Sequence, residues 1–168
     1  EFMISHPPSG ANDDAVEEDP QVTAVRSVPG NEFCADCSRE SPEWVSISLG
    51  VTVCSECSGA HRTLGTHLNF VRSVDFDSLT EREVRTLETT GNAVVNDIFE
   101  GRLFSTAVGG RGIAISFTKE IKPDASSDQN TRELFIRNKY DKKMYLDVVA
   151  LNKYHHHSLA LSTSFSDG

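Results

Sequence analysis

The order of apolar and polar residues predicts a short strand pair followed by a short helix. Between Trp44 and Val53, apolar residues at odd positions alternate with polar ones, so a strand pair or a bent strand with one apolar face is expected. Gly50 interrupts this alternation and favours a turn or bulge. The spacing then changes to i, i+3, i+4 and i+7 in the set Cys57, Ala60, His61 and Leu64. That spacing predicts a short helix, with Gly65 as its C-cap.

Two longer helices are predicted in the second half of the chain. Thr80 and Glu83 have the spacing of a capping box, and an apolar stripe follows them with Gly91 as a weak position. A last helix is predicted over residues 131–151, because apolar residues recur there every four positions. They are Ile136, Tyr140, Met144 and Val148.

Composition divides the chain into a central domain with polar ends. Residues 1–28 are acidic and proline-containing, and we expect them to be disordered. A single domain is expected over 29–151, with an irregular, glycine-rich insertion at about 101–130. Residues 152–168 are expected to form a frayed C-terminal tail. Neither an apolar run of membrane-spanning length nor a secretory signal is recognised, so a cytoplasmic setting is expected.

The net charge of the chain argues against nucleic-acid binding. The 168-residue chain has a net charge of −9, and residues 1–19 contribute six acidic and no basic side chains, which leaves −3 for the rest. Nucleic-acid binding normally requires a basic surface. A DNA-binding zinc finger of the GATA type is therefore a weak alternative, since residues 55–70 offer only one arginine and two histidines.

The cysteines indicate a metal site. All four occur as two CxxC pairs separated by 16 residues: Cys34, Cys37, Cys54 and Cys57. Four thiolates at this spacing can complete a tetrahedron around one structural Zn²⁺; a redox pair or buried free thiols are the alternative. His61 and His67 are then expected to pack rather than bind metal. The predicted fold is α+β, a small zinc-finger sheet surrounded by helices.

Helical geometry predicts where Arg62 points. Arg62 follows Cys57 by five residues, which at 100° per residue places it about 140° around the helix from the metal-facing side. The arginine should therefore face solvent or a partner. The metal would fix the position of a short helix that displays one guanidinium.

The cysteines and Arg62 together resemble the signature of the ArfGAP domain, C-x2-C-x16-C-x2-C-x4-R. The resemblance covers residues 31–100 and resumes at 134–146. Flanking matches include Trp44, Asp77, the Leu49-Gly50 turn, Leu64-Gly65-x-His67, Val71-Arg72-Ser73 and Gly91-Asn92. It implies a protein that stimulates GTP hydrolysis by Arf-type small GTPases in vesicle trafficking.

What the resemblance implies can be assigned residue by residue. Arg62 matches the catalytic arginine, an "arginine finger" supplied to the GTPase, whereas GTP and Mg²⁺ belong to that partner. The chain would then be an enzyme activator and not itself an enzyme. Trp44 and Asp77 match partner-binding positions; alternatively, Trp44 is a core aromatic and Asp77 orients Arg62 or caps the next helix. A scaffold that binds an Arf GTPase without activating it is the second alternative.

A basic face on the predicted last helix is relevant to where in the cell the protein acts. It comprises Arg137, Lys139, Lys142 and Lys143. This face is either solvated or in contact with anionic lipid, where each cation contributes about 1 kcal/mol. Because Arf GTPases work at membranes, the resemblance implies peripheral association with the Golgi, endosomal or plasma membrane.

Overall fold

The computed structural model describes residues 19–103 and 122–163, with side chains up to His155. The predicted disorder of residues 1–18 and residues 104–121 of the predicted insertion lie outside these ranges. Within them, helices and strands follow this order: α1 (Pro20–Arg26), β1 (Trp44–Ser46), β2 (Val51–Val53), α2 (Ser55–Arg62), β3 (Val71–Ser73), α3 (Glu81–Thr89), α4 (Gly91–Phe99), α5 (Gln129–Ile136), a π-helical turn (Arg137–Asp141) and α6 (Val148–Thr163). Of the helices in these ranges, none has the length and apolarity that a membrane span requires.

The sheet confirms the predicted strand pair and adds a third strand. Its order is β2-β1-β3, and both pairings are antiparallel, with Trp44 opposite Val53 on one side and Ser73 on the other. Gly50 takes the left-handed conformation of the intervening turn, with φ +70°. β3 was not predicted, because three residues are too few to show a period. The predicted α+β fold with a small sheet surrounded by helices is confirmed.

The second strand is buried on both faces, which the alternating pattern did not indicate. Val51, Thr52 and Val53 are all buried. The Thr52 N–H donates to Asn92 Oδ1 at 2.8 Å, and Asn92 Nδ2 donates to Thr52 Oγ1 at 2.8 Å. Helix α4 therefore covers the polar side of β2 and satisfies its hydrogen-bonding groups.

The predicted capping box is present, but the helix that follows is interrupted. Thr80 accepts from the Glu83 N–H while Glu83 accepts from the Thr80 N–H, and α3 begins there. Gly91 has φ +69°, so the chain turns and α4 starts as a separate helix. A Cβ at Gly91 would lie 2.4 Å from Val28 Cγ1, so the position admits no side chain. The weak position in the pattern is thus a helix boundary.

The prediction that residues 1–28 are disordered is wrong for residues 19–28. Asp19 caps α1 by accepting from the Gln21 N–H, and Val22 and Val25 are buried. They join an apolar cluster that includes Leu87 of α3. Two valines within a polar run gave too weak a pattern to predict this docked helix.

The single helix predicted over 131–151 is also wrong. Helix α5 ends at Ile136 and continues as the π-helical turn, and Lys143 then adopts φ +52° before α6 begins at Val148. Met144 lies in the turn beyond the end of the π-helical segment, so it is exposed although it continues the spacing by four. The expected tail at 152–168 is helical as far as Thr163.

Candidate metal centre and partner-facing arginine

The four cysteine sulfurs form one compact buried cluster. They lie within 4.8 Å of one another, and Cys37 Sγ is 3.6 Å from Cys54 Sγ. All four cysteines are free of disulfide bonds. Zinc bonded to four sulfurs at about 2.3 Å separates them by about 3.8 Å, so this donor set fits one tetrahedral Zn²⁺. The four predicted ligands thus meet at one point, as a single structural Zn²⁺ requires.

Local backbone structure directs both cysteine pairs to this point. The Cys34 N–H donates to the Arg39 carbonyl at 2.7 Å, and the left-handed Ser38 closes the turn around the first pair. Cys54 follows β2 directly and is the N-cap of α2, whose first turn contains Cys57. A metal held by the four sulfurs would therefore join the turn of the first cysteine pair to the start of α2.

A cluster of buried charges lies beside the metal centre; we call it the ion cluster. Lys139 is fully buried, and its Nζ donates to Asp36 Oδ1 at 2.9 Å and to Glu100 Oε1 at 2.7 Å. Tyr140 donates to the same Asp36 oxygen at 3.0 Å, and His61 Nε2 is 2.7 Å from Asp36 Oδ2. Asp36 stands between the first two zinc ligands, so the ion cluster braces this part of the site.

The charges of the ion cluster stabilise one another. Burial alone raises the pKa of Asp36, but the nearby Lys139 and His61 lower it well below its usual range. Burial likewise lowers the pKa of Lys139, whereas Asp36 and Glu100 raise it to a net value above normal. Burial and the Asp36 charge raise the pKa of Tyr140 far above its usual value. The Asp36 carboxylate and the Lys139 ammonium therefore stay charged at neutral pH.

The burial of Lys139 contradicts the predicted basic face of the last helix. Lys139 is 0% exposed, so this face cannot be a continuous solvated or lipid-binding surface. Arg137, Lys142 and Lys143 remain exposed. The partners of Lys139 lie far away along the chain, and no local pattern could have indicated them. Arg132, a further basic residue within the predicted helix, is also buried and contacts Cys57 of the metal centre.

Of the two histidines near the zinc ligands, His61 packs as predicted, whereas the predicted packing is wrong for His67. His61 is fully buried: Asn69 Nδ2 donates to its Nδ1 at 2.8 Å, so Nε2–H donates to Asp36. His67 is exposed. Both ring nitrogens of His61 are thus engaged by side chains, and this residue packs rather than binds metal.

Arg62 faces outward, as the helical geometry predicted. Its side chain is exposed, and the guanidinium carbon lies 4.6 Å above the centre of the Trp44 ring. Arg62 Nη1 donates to Ser58 Oγ at 3.1 Å, one turn earlier in α2. These contacts hold the charged group near the surface in a defined position, where a partner can reach it.

Trp44 lies on β1 opposite Ser73, and Asp77 lies in the turn that follows β3. Trp44 is half-buried: its ring packs against the core cluster and also lies under Arg62. Asp77 is exposed, and its Oδ2 accepts from the Ser73 N–H at 2.7 Å. This bond fixes the turn after β3. The alternative that Asp77 caps the next helix is wrong, because Thr80 is the N-cap of α3.

Comparisons with known proteins agree with these observations. Residues 19–148 match the ArfGap family model, described as "Putative GTPase activating protein for Arf". Human "Arf-GAP with coiled-coil, ANK repeat and PH domain-containing protein 3" is 40% identical over 122 residues, 73% of this chain and 13% of that protein. The Arabidopsis thaliana "ADP-ribosylation factor GTPase-activating protein AGD1" is 34% identical and spans 87% of this chain.

Solved structures share the same fold. The "ArfGap domain of HIV-1 Rev binding protein" has a TM-score of 0.56 and 25% identity, and covers 76% of this chain and 87% of that chain. The solution structure of the ArfGap domain of human RIP has a TM-score of 0.57 and 28% identity, and covers 83% of this chain and 90% of that chain. The chain spans only 13% and 20% of the two full-length relatives above. Because the family model matches most of its residues, this chain belongs to the ArfGap family.

Proposed function

We propose that this domain accelerates GTP hydrolysis on a GTP-bound Arf-type GTPase by inserting Arg62 into the nucleotide site. One observation carries the proposal: an exposed guanidinium is held on a helix whose N-terminus is fixed by two zinc ligands. Relatives named as Arf GTPase-activating proteins supply the reaction and the partner class. The domain supplies a positioned charge, and the GTPase supplies nucleotide, Mg²⁺ and the attacking water.

A guanidinium suits this reaction for a physical reason. Negative charge spreads over the γ-phosphoryl and bridging oxygens in the transition state, and a planar fork of donors can bind several of them. An arginine supplied in trans raises the rate by about 10³–10⁵. Zinc has a structural role: it holds α2, and no step of the hydrolysis passes through the metal.

Trp44 and Asp77 would form part of the contact surface around Arg62. The Trp44 ring supports the guanidinium from below, at 4.6 Å, and its exposed edge is available to a partner. Asp77 holds the turn after β3, and its exposed carboxylate is available to a partner. We assign both to partner binding, with Trp44 also positioning Arg62.

The partner's location suggests where the domain acts. We propose that it works at the cytoplasmic surface of Golgi, endosomal or plasma membranes, where a GTP-bound Arf protein would be encountered. The exposed Arg137, Lys142 and Lys143 could add about 1 kcal/mol each on an anionic surface, too little for stable recruitment alone. Salt-dependent sedimentation with liposomes tests this contribution, and binding that is independent of anionic lipid content would reject it.

A single-turnover assay tests the role of Arg62. Several Arf proteins are loaded with GTP on liposomes, and hydrolysis is followed with the wild type, Arg62→Lys and the control Arg82→Lys, which alters an exposed arginine on α3. We expect Arg62→Lys to lose most of an acceleration of about 10³–10⁵, and the control to retain it. Full stimulation by Arg62→Lys would remove Arg62 from the mechanism. Binding without acceleration by the wild type would support the scaffold alternative.

A further inference from the structure

Arg132 is a buried cation in direct contact with the metal centre. The residue is 1% exposed, and its Nη1 donates to Cys57 Sγ at 3.2 Å. A guanidinium remains charged at all physiological pH values, and a charge removed from water must be paired or strongly hydrogen-bonded. The position of Arg132 therefore requires a reason beyond packing of α5.

The other donors of Arg132 are satisfied by neutral groups. Nε donates to the Ser127 carbonyl at 3.1 Å, and Nη2 donates to the carbonyls of Asp124 and Ala125 at 3.0 Å each. Arg39, in the turn around the first cysteine pair, also donates to the Ala125 carbonyl, at 2.9 Å. Among the hydrogen-bond partners of Arg132 in the described part of the chain, only cysteine sulfurs, those of Cys57 and Cys37, become anions, and they do so when they bind metal.

The charge of the metal centre matches this arrangement. Zinc with four thiolates carries a net charge of about −2, and here all four sulfurs are buried. A charge-assisted hydrogen bond to one thiolate offsets part of that charge and restricts the sulfur to its ligating position. The same guanidinium fastens residues 124–127, which precede α5, so one side chain links the metal to this segment.

We propose that Arg132 is a positioning residue of the zinc centre that retains the metal and couples its presence to the docking of α5 on α2. Partners of metal ligands typically contribute about 10–100-fold to metal affinity. The structure places this partner on a helix 75 residues after the ligand. Loss of zinc would release the Cys57 contact and free the segment that Arg132 holds.

The full zinc-loaded chain provides the test. Zinc transfer to a chromogenic chelator is timed for the wild type, Arg132→Lys, Arg132→Met and the control Arg137→Met, an exposed arginine on the adjoining turn. We expect Arg132→Met to lower zinc affinity about 10–100-fold and to release zinc faster to a similar degree. Arg132→Lys should fall between, because lysine keeps the charge but lacks the fork that reaches sulfur and carbonyls together. Arg137→Met should match the wild type.

Two further readouts separate this role from simple packing. Cobalt(II) replaces zinc in each variant, and the sulfur-to-cobalt charge-transfer bands should shift in Arg132→Met and Arg132→Lys but not in the control. Amide exchange in α5 should accelerate in the zinc-loaded Arg132 variants. If Arg132→Lys releases zinc at the wild-type rate and its charge-transfer bands do not shift, the proposal is wrong, whatever the thermal midpoint of that variant. The comparison of Arg132→Lys with the wild type also tests the role of Arg132 if Arg132→Met does not fold.

Discussion

The two sides of α2 place neighbouring residues in opposite environments. His61 is fully buried and joins the ion cluster through Asp36, whereas Arg62, the next residue, is exposed above Trp44. A rotation of about 100° per residue separates them. On the inner side, His61 is held by buried polar groups that satisfy one another, and on the outer side the Arg62 charge is held by a ring and a hydroxyl. Changes on the inner side should therefore affect stability, and changes on the outer side should affect the partner.

Removal of zinc should abolish the difference between the two sides, because both depend on where α2 begins. Apparent binding energies of structural zinc sites are about 10–16 kcal/mol, more than the stability of most domains. Chelation or Cys54→Ala should therefore unfold the core. Far-UV circular dichroism and thermal denaturation would measure this, with the exposed Ser55→Ala as the adjacent control. A helical signal and midpoint that survive complete metal removal would show that zinc is not structural.

The parts of this architecture that the sequence could predict are those with short-range causes. Two CxxC pairs, an alternating strand pattern and the capping box at Thr80 each depend on residues within a few positions of one another. The direction of Arg62 also follows from local geometry, because a helix fixes its angle to Cys57. For this reason the metal ligands and the exposed arginine could both be located before the fold was known.

The parts that could not be predicted depend on contacts between distant segments. Lys139 and Arg132 have the pattern of a polar helix face, yet one pairs with Asp36 and the other with Cys57, 103 and 75 residues away. Their burial is decided by anions that only the tertiary fold brings near. Similarly, α1 exists because its two valines find an apolar surface on α3, which no property of residues 19–28 reveals.

Disruption of the ion cluster should have the next largest effect. Lys139→Met leaves the buried carboxylates of Asp36 and Glu100 without their shared cation. Removing one partner of a buried ion pair costs about 3–5 kcal/mol. Urea denaturation of the zinc-loaded protein should show this loss, while the exposed Lys142→Met should differ little from the wild type. A loss below about 1 kcal/mol in Lys139→Met would mean that water reaches these carboxylates.

Alkaline pH sharpens the same test. The pKa of Lys139 is raised in the folded protein, so its stabilising contribution is complete below the unfolded value of about 10.4 and is lost as pH rises through the folded pKa. The difference in unfolding free energy between wild type and Lys139→Met should therefore be constant from about pH 7 to 10 and should shrink above that. A difference that already shrinks between about pH 7 and 9 would contradict the raised pKa.

The smallest expected effects come from substitutions of His61 and Arg62. They test the comparison between the buried and exposed sides of α2 most directly. His61→Leu removes a buried partner from Asp36 and from Asn69 and should cost about 1–3 kcal/mol of unfolding free energy. Arg62→Leu loses only exposed contacts, with the Trp44 ring and the Ser58 hydroxyl, worth about 1 kcal/mol together. Chemical denaturation of the two zinc-loaded variants should therefore rank them in this order.

Intrinsic fluorescence distinguishes the two substitutions independently of stability. Trp44 is the single tryptophan of the chain, and Arg62 lies over its ring. Arg62→Leu should change the emission of the folded protein because the cation above the ring is lost, whereas His61→Leu should leave it nearly unchanged. If Arg62→Leu instead destabilises the fold as much as His61→Leu and leaves the emission unaltered, Arg62 belongs to the structural side of α2. The separation between the two sides would then be wrong.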